Sequence, residues 1–255
     1  MKALLFGSIG VIVDSSRLQF EAYNGAFDEE GLDWHWDEKT YRAMLIIAGG
    51  RARIRHYAEA QGVPVPTDEM IIRVHQRKTA LFEQMLADGK GVARPGVARL
   101  MDAAHERGTK LGFVTTTERS NVEMTVKAAG IEISDFDVFT YRGTVEKAKP
   151  DPACYRLALE KLGVEPGEAV AIEDTEVCLP SALDAGLAVV ATPNAFADGQ
   201  DFSRATVVVD HLGDERRAAR TLAGHDIVRA GAVTLDTLGE LLERVDGRPE
   251  PALAS

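Results

Sequence analysis

The sequence predicts an α/β fold in which helices cover both faces of a parallel sheet and an all-helical domain is inserted after the first strand. Short apolar runs recur along the 255-residue chain, and most of them are followed by a segment of helical period. Such alternation of strands and helices implies a parallel sheet. Between the first two runs lie roughly eighty residues of helical period without a strand pattern, which is too long a stretch for a loop.

Six apolar runs predict the strands of the sheet. They are residues 3–6, 110–114, 137–140, 169–172, 187–191 and 206–209. Helix signals separate them, because Asp151-Pro152 combines an N-cap residue with a first-turn proline, and Gly130, Gly163 and Gly186 each close a predicted helix. Beyond residue 213, an Arg- and Ala-rich segment leads to a last predicted helix over residues 235–245.

The predicted insertion carries two apolar stripes of helical period. One repeats every four residues, and the other advances by steps of three and four. Their members are Leu18, Ala22 and Ala26 in the first stripe and Ile71, Val74, Lys78, Leu81 and Met85 in the second. We therefore predict two domains, an α/β core over residues 1–14 and 92–255 and a helical cap over residues 15–91.

Composition disfavours several classes of function. The chain has 29 basic and 40 acidic side chains, and its net charge of −11 repels the phosphate backbone of nucleic acids. Two cysteines cannot form a disulfide framework, and no apolar run approaches the roughly 18 residues of a membrane span. We expect a cytoplasmic protein with neither a nucleic-acid nor a membrane partner.

Polar residues follow the predicted strands at the sheet edge where open parallel sheets bind ligands. The hydroxyls of residues 115–117, at the start of a helix, suit a phosphate, although plain N-capping also explains them. Lys149 lies just ahead of the next helix and by itself is an ordinary surface lysine. The Glu173-Asp174 pair suits a hard cation such as Mg²⁺, and helix capping by Asp174 explains it equally well.

The order of these features resembles the haloacid dehalogenase superfamily, and most closely its capped CbbY-like and β-phosphoglucomutase-like branch. The resemblance runs from residue 1 to about residue 213 and includes residues 31–37 and 196–202. It implies that the Thr115 hydroxyl, the Thr116 N–H and Lys149 bind phosphate. It also implies that Glu173 and Asp174 are the acids of a Mg²⁺ site.

The first motif of that family does not match. Gly7-Ser8-Ile9-Gly10 stands where the family has Asp-x-Asp-Gly, whose first Asp is the nucleophile and whose second is the general acid/base. Gly7 has no side chain and Ile9 has no proton to give, so the aspartyl-phosphate route has no residues to carry it. Ile9 keeps the backbone carbonyl that would bind Mg²⁺, but the carboxylate is missing at Gly7, so we expect weak or absent metal binding. Without that negative charge a phosphoester should also be repelled less.

The cap offers further candidate ligands. Lys78 lies on an apolar stripe, where a charge needs a partner. The resemblance places Lys78 and one of Arg51 or Arg53 over the site, to hold a distal phosphate or sugar. The alternative is that Lys78 extends along the stripe's edge to solvent.

These residues predict a protein that binds a phosphorylated small molecule, a sugar phosphate in particular, without efficient turnover. One alternative is a working sugar-phosphate phosphatase in which Asp14 or Glu173 approaches the phosphate, or water attacks while Lys149 stabilises charge. Another is a non-catalytic scaffold whose function is a protein contact, with a partner that the sequence does not identify.

Two weaker alternatives use the motif after the first strand. Ser8 lies in a sequence similar to a nucleophile elbow, although Phe6 stands where that motif needs glycine and strand alternation would point Ser8 away from positions 7 and 9. Gly7 and Gly10 fall short of a dinucleotide-binding turn. The six His and two Cys show no zinc-ligand spacing.

Overall fold

The structure, a computed structural model, describes residues 1–45, 47, 49–197 and 199–245, and its core is a seven-stranded sheet. The strands are β1 (Ala3–Phe6), β2 (Lys110–Val114), β3 (Val138–Thr140), β4 (Ala169–Glu173), β5 (Ala188–Ala191), β6 (Val207–Val209) and β7 (Thr221–Gly224). Their order is β3-β2-β1-β4-β5-β6-β7, with β1 to β6 parallel and β7 antiparallel to β6. Strands β8 (Val228–Arg229) and β9 (Ala232–Val233) form a separate hairpin.

Helices that lie outside residues 16–92 cover both faces of this sheet. The described residues form ten α-helices in all. In chain order they are α1 (Ile9–Ile12), α2 (Ser16–Glu29), α3 (Glu38–Met44), α4 (Gly50–Gln61), α5 (Asp68–Met85), α6 (Val97–Arg107), α7 (Arg119–Ala128), α8 (Ala153–Leu162), α9 (Leu179–Leu183) and α10 (Leu235–Val245). A π-helical turn over Leu86–Lys90 follows α5. Among the residues that the structure describes, no helix combines the length and the apolar character needed to cross a membrane.

The predicted α/β fold is confirmed. All six predicted strands lie in the sheet, with ends within one residue of the prediction, and the last helix has the predicted bounds. The sequence did not predict β7, β8 and β9, because these strands have only four, two and two residues and none is a buried apolar run.

Residues of β1 alternate between the two apolar layers of the core. Leu4 and Phe6 pack in the layer that includes α6 and α10, whereas Ala3 and Leu5 pack in the layer that includes α8 and α9. Successive side chains of a strand point to opposite faces, so a strand covered on both faces must be apolar throughout. This is why the strands appear in the sequence as continuous apolar runs.

The segment between β1 and β2 folds as helices α2 to α5, and no strand occurs among its described residues from 16 to 92. An aromatic cluster around Tyr23, Phe27, Trp36 and Tyr41 forms its own core. The two connections to the sheet run side by side, because Val13 pairs with Ala93 in an antiparallel bridge. The domain limits at residues 14/15 and 91/92 stay a prediction.

Candidate functional site

Segments that are far apart in sequence meet at the carboxyl end of the sheet. Gly7 follows β1 and is held to β4 through its N–H, which donates to the Ile172 carbonyl at 2.8 Å. Glu173 ends β4, and Lys149 arrives from the loop after β3. The Lys149 ammonium donates to the Gly7 carbonyl at 2.5 Å and to Glu173 Oε1 at 2.6 Å. The structure thus joins three of the predicted site residues in one buried cluster.

Lys149 and Glu173 form a buried ion pair, with side chains that are 5% and 0% exposed. Tyr155 on α8 completes the cluster, because its hydroxyl donates to Glu173 Oε1 at 2.7 Å. The interpretation of Lys149 as an ordinary surface lysine is therefore wrong. The sequence analysis did not predict Tyr155 as a site residue. The signal that could have identified it is its place on the helix after Lys149, six residues further along the chain.

Charge and burial act against each other in this cluster. Burial by itself would lower the pKa of Lys149, but the Glu173 carboxylate outweighs it and raises that pKa above its ordinary value, so the ammonium keeps its proton. Burial and the neighbouring Glu173 charge hold the pKa of Tyr155 well above its ordinary value, so its hydroxyl remains a donor. Glu173 Oε2 is buried and has no hydrogen-bond partner among the described residues.

The space beside Gly7 is filled by this cluster. A Cβ added to Gly7 would lie 2.3 Å from Glu173 Cδ and 2.3 Å from the Tyr155 hydroxyl. The Glu173 carboxylate therefore occupies the space into which a side chain at residue 7 would extend, and the expectation that a phosphoester is repelled less at this place stays a prediction. Because Lys149 neutralises it, the pair as a whole carries no net charge.

Asp174 lies in a second cluster, which also contains Ser8. The Ser8 hydroxyl donates to Asp174 Oδ1 at 2.6 Å, and Asn194 from the loop after β5 donates to Oδ2 at 3.1 Å. Strand alternation does not govern Ser8, because β1 ends at Phe6 and Ser8 is the N-cap of α1. Helix capping by Asp174 is wrong, since α9 begins at Leu179. No sequence motif pointed to Asn194.

A buried arginine supports the loops below these clusters. The Arg94 guanidinium donates to the carbonyls of Gly10, Thr192, Pro193 and Asp210 at 3.1, 2.6, 2.9 and 3.2 Å. These carbonyls belong to the segments after β1, β5 and β6, so Arg94 connects three segments at the carboxyl end of the sheet. Its backbone N–H also donates to the Ile12 carbonyl at 2.7 Å, beside the connection to the helical insertion.

The predicted phosphate ligands lie at the same sheet edge but do not form one cluster. Thr115 follows β2 and is buried, and its hydroxyl accepts the Thr117 N–H at 3.1 Å. Thr116 is half-buried. N-capping by these threonines is wrong, because α7 begins at Arg119 with Glu118 at its N-cap. Lys149 is turned toward Gly7 and Glu173, and none of its hydrogen bonds among the described residues goes to Thr115 or Thr116.

The predicted metal ligands do not fit a magnesium ion in this arrangement. Glu173 Oε1 is paired with Lys149, which leaves Oε2 as the one oxygen of this carboxylate without a partner among the described residues, and both Asp174 oxygens accept hydrogen bonds. The Ile9 carbonyl accepts the Val13 N–H at 2.8 Å. Mg²⁺ requires a near-octahedral set of oxygens, and the described part of the chain holds no group of three or more His, Cys, Asp or Glu that could bind a metal.

Lys78 is buried in the helical insertion, with 9% of its surface exposed. Its ammonium lies 5.1 Å from the centre of the Tyr23 ring and 5.5 Å from that of Phe82. Burial lowers its pKa to about 8, and the charge of Arg53 acts in the same direction. The alternative that Lys78 extends to solvent is therefore wrong, and no carboxylate pairs with it within the described ranges.

The two arginines of α4 differ in their surroundings. Arg53 is half-buried and its Nε donates to the Ile47 carbonyl at 2.9 Å, whereas Arg51 is exposed. Burial lowers the pKa of His75 to about 4, and the charge of Lys78 lowers it as well, so His75 is neutral near pH 7. Lys78 and Arg53 are thus two cations of the insertion for which no ion pair with a carboxylate occurs among the described residues.

Comparison with known proteins agrees with this geometry. The haloacid dehalogenase-like hydrolase family matches residues 1–186. The chain is 38% identical over 222 residues to Protein CbbY (plasmid) of Cupriavidus necator, covering 84% of this chain and 87% of that protein. It is similar to the crystal structure of CbbY from Rhodobacter sphaeroides in complex with phosphate, with a TM-score of 0.72, 35% identity and 83% of this chain and 94% of that chain covered. A CbbY mutant from the same organism in complex with xylulose-(1,5)-bisphosphate gives a TM-score of 0.73, with the same identity and coverage.

Proposed function

The chain belongs to the haloacid dehalogenase-like hydrolases, and from that premise we propose that it binds phosphate esters, sugar phosphates in particular, without efficient phosphatase turnover. The observation that carries this proposal is the pair of residues after β1. Gly7 offers no nucleophile, Ile9 offers no proton, and the volume beside Gly7 is filled by Glu173 and Tyr155.

Two features support a phosphorylated ligand. The solved CbbY structures contain phosphate and xylulose bisphosphate. In this chain, Lys78 is a buried cation without a carboxylate partner among the described residues, and burying such a charge is costly unless an anion compensates it. A bound ester would place one anionic group near Thr115 and Thr116 and a second near Lys78 and Arg53.

Slow or absent turnover follows from the positions of the remaining carboxylates. A general acid or base increases the reaction rate by a factor of about 10² to 10⁴, and only when it reaches the reacting group. Glu173 is held by Lys149 and Tyr155, and Asp174 is held by Ser8 and Asn194. Asp14 is exposed in the connection to the helical insertion. Glu173 and Asp174 therefore already have partners, and Asp14 lies seven residues beyond Gly7, after α1.

Calorimetry with inorganic phosphate and xylulose bisphosphate, beside a turnover assay with a panel of sugar phosphates, tests this proposal. We expect the native protein to bind the bisphosphate without hydrolysing it. We expect Lys78→Met to lower the affinity for the bisphosphate more than the affinity for inorganic phosphate. The Gly7→Asp, Ile9→Asp double variant is expected to gain Mg²⁺-dependent turnover. Equal turnover in the native protein and the double variant would contradict the proposal, as would a native protein that shows neither heat nor a thermal shift with any ligand.

One observation favours phosphatase activity through non-standard residues. The Ser8 hydroxyl donates to the Asp174 carboxylate at 2.6 Å, which is the arrangement of a nucleophile and its base. In that reaction Ser8 Oγ would form a bond to phosphorus as the ester P–O bond breaks. Asp174 would take the hydroxyl proton, and water would protonate the departing alkoxide. Mass spectrometry after incubation with a sugar phosphate would detect phosphoserine in the native protein and not in Ser8→Ala.

A protein-contact scaffold is the remaining alternative, with a partner still to be identified. It gains support only if the ligand panel and the phosphoserine measurement are both negative. The cytoplasmic location stays a prediction of the composition.

A further inference from the structure

Lys149 is a buried cation whose charge requires an anionic partner. Its side chain is 5% exposed, and an ammonium of that burial without compensation is strongly unfavourable. Glycine at position 7 supplies only a backbone carbonyl, at 2.5 Å from the ammonium. The charge that balances Lys149 comes from Glu173, whose Oε1 lies 2.6 Å away.

Glu173 can hold this position only because residue 7 has no side chain. A Cβ at residue 7 would lie 2.3 Å from Glu173 Cδ and 2.4 Å from Glu173 Oε1, and real Cβ contacts essentially never fall below 3.0 Å. The backbone of Gly7 is not in the left-handed region, so the conflict is one of space alone. A side chain at residue 7 and the present position of Glu173 therefore exclude each other.

We infer that Glu173 serves in this chain as the counter-ion of Lys149, in the volume that a residue 7 side chain would occupy, and that the site takes its oxyanion without a divalent cation. The choice of an oxyanion as ligand rests on the proposed function, whereas the assignment of Glu173 does not. The donor set is largely engaged, because Glu173 Oε1 already accepts from both Lys149 and Tyr155, and only Oε2 of this carboxylate lacks a hydrogen-bond partner among the described residues. Asp174 and the Ile9 carbonyl are engaged as well.

The inference predicts that a carboxylate introduced at residue 7 changes both the partner of Lys149 and the ability of the site to bind a metal ion. In Gly7→Asp, the new carboxylate would pair with Lys149 and would displace Glu173 from its present place. Glu173 and the new aspartate would then both present oxygens at the sheet edge beside Asp174, which is the kind of donor set that Mg²⁺ or Mn²⁺ binds. Gly7→Ala displaces Glu173 in the same way but supplies no carboxylate, so it is the matched control.

Electron paramagnetic resonance titration with Mn²⁺ alone tests the assignment of Glu173. We expect Gly7→Asp to bind Mn²⁺ at least about tenfold more tightly than the native protein, which corresponds to about 1.4 kcal/mol. Gly7→Ala is expected to bind no more tightly than the native protein. The inference is overturned if the native protein binds Mn²⁺ as tightly as Gly7→Asp, or if Gly7→Ala gains as much as Gly7→Asp.

A second measurement uses only the native protein and so tests metal-independent binding even if Gly7→Asp does not fold. Calorimetry with inorganic phosphate is run once in the presence of a chelator and once with Mg²⁺. We expect the two affinities to agree within about twofold, and a tenfold gain with Mg²⁺ would overturn metal-independent binding. If the native protein binds no phosphate in either buffer, the proposed function fails and metal-independent binding fails with it, while the Mn²⁺ titration still decides the role of Glu173.

Discussion

A single methyl group at residue 7 gives the most direct measure of how tightly the buried cluster is packed. In Gly7→Ala the new Cβ would lie 2.3 Å from both Glu173 Cδ and the Tyr155 hydroxyl, and neither side chain has solvent to move into. Overpacking of a core costs about 1–3 kcal/mol, and a displaced Glu173 loses hydrogen bonds of about 1 kcal/mol each. We expect the free energy of unfolding to fall by about 4 kcal/mol and the Tm by about 8–16 °C.

Urea unfolding and thermal melts followed by circular dichroism measure this loss. Gly239→Ala is the matched control, because Gly239 lies within α10 with nothing near its Cβ position, and alanine there should raise the free energy of unfolding by up to about 1 kcal/mol. Tyr155→Phe removes one of the two close atoms, so Gly7→Ala should cost at least about 1 kcal/mol less in that background. A Gly7→Ala protein as stable as the native one would refute the reasoning that Glu173 and Tyr155 fill this volume.

Three further predictions concern buried polar groups away from Gly7. The Lys78 pKa falls from 10.5 to about 8 on folding, so the charged ammonium costs about 3 kcal/mol below pH 8. Because the unfolded chain binds the extra proton between these values, native stability should rise with pH there in urea titrations, and Lys78→Met should remove the rise. Arg94→Met leaves one buried and three part-buried backbone carbonyls without their donor and should lower the free energy of unfolding by about 3 kcal/mol; no loss in urea unfolding would contradict this. Asn24 pairs with both the N–H and the carbonyl of Trp36, so Asn24→Ala should cost about 3 kcal/mol, and unchanged amide exchange at Trp36 would count against it.

The sequence predicted secondary structure best in the strands that are buried on both faces, because there the burial of each residue is visible in the local run of apolar side chains. A strand covered on both faces must be free of charged side chains where it is buried, and this is why the buried residues 3–6 and 111–114 could be assigned to strands. Strand β7 lies at the exposed edge of the sheet, and β8 and β9 are two-residue strands of a separate hairpin, so none of the three has an apolar run long enough to predict a strand.

The sequence predicted several residues of the candidate site but not the residues that they contact. The position after each strand identified Lys149, Glu173 and Asp174, because parallel strands end at a common edge. Their partners were not predictable in this way. Tyr155 belongs to a helix, and Asn194 belongs to the loop after β5; each reaches the site only through the packing of that element against the sheet.

The sequence by itself determined the α/β fold, the helical insertion and the presence of Gly7 and Ile9, which carry no carboxylate, after the first strand. Only the tertiary structure decided what fills the volume beside Gly7. Glu173 lies 166 positions beyond Gly7 and 24 beyond Lys149, so no local pattern records that the three share one volume. Their pairing follows from the need of a buried ammonium for a carboxylate, and from the absence of a side chain that would have kept that carboxylate out.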